Sequence, residues 1–191
     1  LKEAEIAELR LEPKAGLGLV NGDNFSTAAA ALLTADLVEA QLVADVLGAM
    51  VFEALLASDR SFHPMLFTLR PHAGAVESAA LYRSLLEGSK LARQEMLGHG
   101  RRPVGEVIQD GYSLRALAQS EAPNREILKQ AIATITINAN SVSDNPLWVS
   151  PAHASEGEEP WQWVSGGNFL AQHVGETMDS LRKVTTRLVK R

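Results

Sequence analysis

The sequence predicts an all-α protein of long helices joined by rich loops. Phe25–Ala57 runs without Pro and with a single Gly, Gly48, and is dense in Ala, Leu and Val. No segment sustains the period-two alternation of a strand, and no repeat of 20–50 residues is visible. Of the 191 residues, 46% are hydrophobic and 21% charged, which excludes disorder. That is chain enough for one core, burying roughly 70% of the surface of the unfolded form.

Taken in order, Leu1–Arg10 reads as part of an amphipathic helix. It lacks the basic and apolar regions of a signal peptide, so the expected location is the cytoplasm. Leu1 is not Met, and the last helix runs uncapped to Arg191, so the chain is expected to be a piece of a longer protein. Glu12–Asn24 has three Gly, one Pro and an Asn-Gly and reads as a loop. The helix Phe25–Ala57 is interrupted by Asp36, Glu39, Asp45 and Glu53, which rules against a membrane span. These four acids occupy one half of its circumference and leave a wide apolar face, suited to a bundle core or a subunit interface.

Ser58–Gly74 reads as irregular. Ala75–Leu97 reads as a helix on Val76, Ala79, Ala80, Leu85, Leu86 and Leu91, broken at Gly88-Ser89. Gly98–Ala122 is a second irregular stretch. Asn124 is placed to cap a helix to about Ser143, with Ile127, Leu128, Ala131, Ile132, Ile135 and Ile137 as its apolar set. Asp144-Asn145-Pro146 ends it. An acidic loop, Ser150–Pro160, follows, and Gly166-Gly167-Asn168 opens the helix Phe169–Arg191.

Net charge is −5, against nucleic acid or an anionic membrane as partner. With no cysteine, disulfides and thiolate chemistry are excluded, and the five scattered histidines point to no metal. No phosphate loop, HExxH or nucleophile elbow is present. Four polar motifs remain. Asn21-Gly22 alone is an ordinary turn. Gln109, Tyr112 and Arg115 stand three residues apart and would share one side of a helix. Asn140–Pro146 is rich in short hydrogen-bonding side chains, normally used for capping. Ser165–Phe169 could expose backbone N–H groups to an anion at a helix start.

In order, PKAGLGLVNG (13–22), SFHP (61–64), RPHAGAVESA (70–79), IQDGYSLR (108–115), NSVSDNP (140–146) and SGGNF (165–169) resemble the aromatic amino acid ammonia-lyases and aminomutases, enzymes of the methylidene-imidazolone (MIO) electrophile. The resemblance covers essentially the whole chain. SFHP and SGGNFLAQHVGETMDSLR, with Leu170 after the motif's phenylalanine, look more like bacterial phenylalanine than histidine ammonia-lyases.

The resemblance implies the long-helix bundle of the fumarase/aspartase-like superfamily, with residues 1–191 as the central portion of one larger catalytic domain. It also implies a homotetramer whose sites combine subunits. The implied reaction is deamination of an aromatic L-amino acid, Phe or Tyr, to the trans-unsaturated acid and ammonia. The alternatives are a 2,3-aminomutase, a histidine ammonia-lyase or a helical assembly module without chemistry. The electrophile arises in the family from an Ala-Ser-Gly, and a tyrosine on an N-terminal loop removes the β-proton. This chain has neither, so alone it is expected to be inactive. By similarity Arg115 anchors the substrate carboxylate, Asn145 donates a second hydrogen bond to it, and Phe169 packs against the electrophile or ring. Tyr112 and Asn21 assist proton movement and electrophile geometry, and Gln109 steadies that network. The chain departs from the family pattern at Ala118, Ala15 and Asp23, and in the long acidic loop Pro151–Gln162.

Overall fold

The structure, a computed structural model, describes residues 7–96 and 109–190. Its helices are α1 (Ala15–Val20), α2 (Asn24–Ala54), α3 (Pro64–Leu69), α4 (Ala73–Leu85), α5 (Tyr112–Arg115), α6 (Leu117–Ala139) and α7 (Gln172–Val189). Two three-residue strands, β1 (Leu147–Val149) and β2 (Gln162–Val164), pair antiparallel with Trp148 opposite Trp163. The chain divides into two compact units. The first comprises Leu1–Leu32 and Ala133–Met178, the second Leu33–Ile132 and Asp179–Arg191. No helix among the described residues is long and apolar enough to cross a membrane.

The second unit is centred on an aromatic stack. Phe62, on a short 3-10 turn (Asp59–Phe62), lies 5.0 Å from Phe52 of α2 and 5.1 Å from Tyr82 of α4. Small residues set the spacing around it. A Cβ on Gly74 would collide with the Ala122 carbonyl, so α4 and α6 meet backbone to backbone. Beside the stack runs a buried polar chain. Arg125 of α6 donates to Asp45 Oδ2 at 2.6 Å and to Ser78 Oγ at 2.6 Å. Gln41 donates to Asp45 at 3.1 Å and to Glu121 at 2.7 Å. Buried ions persist only when paired and hydrogen-bonded in this way.

The first unit holds a small core of Ala30, Ile135 and Val174, against which Met178 packs. Its loops are welded by polar contacts. Asn138 Nδ2 donates to Asp23 Oδ2 at 2.6 Å, and Ser143 Oγ donates to Asn24 Oδ1 at 3.1 Å.

Several sequence expectations need correction. Glu12–Asn24 contains α1, Ser58–Gly74 contains α3, and Gly98–Ala122 contains α5 and the start of α6. Asn124 caps nothing: it lies buried inside α6, which begins at Leu117 and carries Pro123 within it. The packing of Ala118 and Ala122 into the core outweighs the proline's missing donor. Residues 7–10 are not helical, and Leu1–Ile6 lie outside the described residues, as do Leu97–Ile108. α4 ends at Leu85, and left-handed Gly88 follows at the expected break. α7 opens at Gln172, later than the Gly-Gly-Asn. On α2 the side buried within the chain carries Thr34, Gln41 and Asp45 beside Ala30, Ala49 and Phe52, while Leu42, Val46, Leu47 and Met50 are exposed.

Candidate active site

Gln109, Tyr112 and Arg115 come together in the second unit, although α5 is a single turn and Gln109 precedes it. Asp110 fixes the base of this turn, accepting from Arg93 Nη2 and from the Ser58 backbone N–H, each at 2.8 Å. On the other side Leu114 packs into the core, and Leu117 and Ala118 are buried beyond it. Arg115 Nη1 then donates to Gln109 Oε1, and the guanidinium lies 4.1 Å from the centroid of the Tyr112 ring. An arginine held at one edge by an amide and on one face by an aromatic ring keeps most of its planar fork for a ligand. It has no carboxylate partner among the described residues. Tyr112 is 76% exposed, so its hydroxyl is open to solvent.

Asn21, Asn145 and Phe169 belong to the first unit. Asn21 is the C-cap of α1; its backbone N–H donates to Leu17, and its side-chain amide has no partner among the described residues. Asn145 is half-buried in the turn after α6, and its Oδ1 accepts from the Gly166 N–H at 2.7 Å. That bond leaves Nδ2 as the group Asn145 can offer. It also occupies the Gly166 N–H, which takes that one donor out of the Ser165–Phe169 segment. Phe169 is half-buried and makes no ring contact among the described residues. Its neighbour Asn168 reaches the Val142 carbonyl at 3.5 Å.

Two features here escaped the sequence reading. Lys14 pairs with Asp144, donates to the Pro146 carbonyl and sits 5.3 Å from the Trp163 ring centroid. The Lys14 ammonium and the Asn145 backbone N–H hold the Asp144 carboxyl below its usual range. Trp148, Trp161 and Trp163 form an exposed aromatic cluster, with Trp148 4.7 Å from Trp163 and 6.1 Å from Trp161. No spacing rule signals either feature, because their partners meet only in the folded chain.

Residues 1–190 match the family described as aromatic amino acid lyase. The chain belongs to that family. It is 35% identical to the phenylalanine ammonia-lyase of Nostoc punctiforme over 190 residues, covering 100% of this chain and 32% of the relative. It is 37% identical to the histidine ammonia-lyase of Sorangium cellulosum over 179 residues, covering 94% and 33%. Among solved structures, the tyrosine aminomutase of Streptomyces globisporus superposes with a TM-score of 0.79 at 30% identity, over 98% of this chain and 36% of that one. The chain thus spans about a third of the length of the curated relatives it matches. The architecture is the all-α, fumarase/aspartase-like one of this family, as the motifs implied.

Proposed function

We propose that the full-length protein is a carbon–nitrogen lyase that removes the amine of L-Phe or L-Tyr without oxidation, giving the trans-unsaturated acid and ammonia. The observation that carries this reading is Arg115, fixed by Gln109 and Tyr112 with its fork open, in a chain of the aromatic amino acid lyase family. A planar fork takes a carboxylate through two parallel hydrogen bonds.

Each residue of this chain then has a task. By the resemblance Arg115 takes the substrate carboxylate, and Asn145, with its Oδ1 engaged by Gly166, keeps Nδ2 to donate to a carboxylate. Gln109 holds the guanidinium in plane. The exposed Tyr112 hydroxyl holds and moves a proton near the amine, and the Asn21 amide supports the electrophile's geometry by hydrogen bonding. Phe169 offers an aromatic wall. This donor set fits the MIO electrophile, which when bound supplies an acceptor for the substrate amine. Its Ala-Ser-Gly is not among these 191 residues, so the reading places it elsewhere in the assembled enzyme. Under the same reading the enzyme is a cytoplasmic homotetramer, which would cover the exposed apolar side of α2.

A 2,3-aminomutase is the second reading, favoured by the superposition on a tyrosine aminomutase. The intact protein, incubated separately with L-Phe, L-Tyr and L-His and analysed by mass spectrometry, decides among them. An unsaturated acid with ammonia supports the lyase, and a β-amino acid supports the mutase. Preference for L-His makes it a histidine ammonia-lyase, and no product from any substrate sinks the catalytic reading. Arg115→Ala is expected to cost about 2–5 kcal/mol in kcat/KM, since it removes one partner of a charge pair.

A further inference from the structure

Lys14 stands at the start of α1 with a left-handed backbone, φ 73°. Glycine adopts that conformation freely and lysine does not, so surrounding contacts must over-determine it. Those contacts are the three made by its ammonium, to the Asp144 carboxylate, the Pro146 carbonyl and the Trp163 ring face. Asp144 and Pro146 are the two neighbours of Asn145, so Lys14 grips the turn on both sides of that residue. The Asn145 backbone N–H donates to Asp144 Oδ1 at 2.7 Å, and its side-chain Oδ1 accepts from Gly166 at 2.7 Å. Further out, the turn is flanked by Ser143, which donates to Asn24, and by β1, which pairs with β2 from Leu147 onward, so Lys14 holds its middle. The anchor itself is firm, because Trp163 is a β2 residue paired with Trp148 of β1.

We infer that Lys14 is a positioning residue: by clamping Asp144 and Pro146 it sets the Asn145 turn so that Asn145 Nδ2 faces the substrate carboxylate. This rests on the role proposed above for Asn145. Lys14 touches no substrate and acts only through that turn. Removing it should therefore weaken binding of substrate and transition state alike, and raise KM more than it lowers kcat.

The test uses the full-length protein and a double-mutant cycle of Lys14→Met with Asn145→Ala, plus Lys14→Arg. Lys14→Met is expected to raise KM roughly tenfold with kcat changed less than about threefold. The double variant should have the KM of Asn145→Ala alone, because both act through one amide. Lys14→Arg, which keeps a cation, should recover most of the affinity. An unchanged KM in Lys14→Met, or single effects that multiply in the double variant, overturns the proposal. Asp144→Asn, which keeps the size of the side chain, replaces Lys14→Met if that variant does not fold. Hydrogen exchange separates this proposal from the proposed function. Lys14→Met should speed exchange in peptides covering 143–147, and unchanged exchange overturns the clamp whatever the kinetics. A wild type inactive on all three amino acids, with faster exchange in the variant, defeats the functional reading and supports the clamp.

Discussion

α7 and α2 differ in what they put inward. α7 buries Val174, Leu181 and Val184 and turns Lys183, Arg182 and Asp179 outward, as an amphipathic surface helix should. α2 buries the polar Thr27, Thr34, Gln41 and Asp45 beside Ala30, Ala49 and Phe52, and exposes Leu32, Leu42, Val43, Leu47, Met50 and Val51. Which face of a helix goes inside depends on what its neighbours present. α6 offers α2 the side chains of Glu121 and Arg125, so Gln41 and Asp45 find partners within this chain. Its apolar side stays exposed in this chain, which spans about a third of the length of its relatives.

Removing the charge that holds the inner seam of α2 should have the largest effect. Asp45 accepts from Arg125, Gln41 and Tyr82, and none of the three can reach water readily in its place. Asp45→Ala strands the guanidinium and should cost about 3–5 kcal/mol, read by thermal or denaturant unfolding of the intact protein. Asp45→Leu combined with Arg125→Leu should cost less than either single change, because no uncompensated charge remains. A loss below about 1 kcal/mol for Asp45→Ala would show that apolar packing, not this pair, orients α2.

The same contrast explains how much was legible in the sequence. Helices with strong periodicity or long apolar runs, α2, α4, α6 and α7, could be read directly, because their signal is local. The seven-residue recurrence of Thr27, Thr34 and Gln41 on α2 was a further signal for its inner seam. Reading it correctly requires knowing that Glu121 waits 80 residues beyond Gln41. Short elements such as α1, α3, α5 and the Trp148–Trp163 hairpin are fixed by tertiary contacts and left no pattern. The same division holds at the site. Gln109, Tyr112 and Arg115 are close in sequence and meet as their motif implied. Lys14, separated from Asp144 by 130 residues, carried no such hint.

A glycine on each helix sharpens the comparison through one substitution of opposite sign. A Cβ on Gly48 of α2 would sit 2.8 Å from the hydroxyl of buried Tyr82, whose ring stacks on Phe62 and has little room to retreat. Gly48→Ala should therefore cost about 1–3 kcal/mol through overpacking. Gly175 of α7 meets nothing within 4 Å. Gly175→Ala should be stabilising by about 0.5–1 kcal/mol, the ordinary gain in helix propensity. If both changes shift the melting temperature in the same direction, the inner seam of α2 has room for a methyl group at Gly48.

The smallest effect is expected at an ion pair of the same length as the largest. Arg182 and Asp179 of α7 stand 2.6 Å apart, as do Arg125 and Asp45. Distance alone would rank them equal, and burial decides otherwise. The α7 side chains are 81% and 64% exposed, against 14% and 1% for the α2–α6 pair. Water and salt solvate either partner of the α7 pair once the other is gone, so no stranded charge results. Arg182→Ala should change stability by less than about 0.5 kcal/mol, and by still less in 1 M salt. Measured beside Asp45→Ala in the same unfolding experiment, a comparable loss at both sites would mean that α2 and α7 feel one dielectric environment.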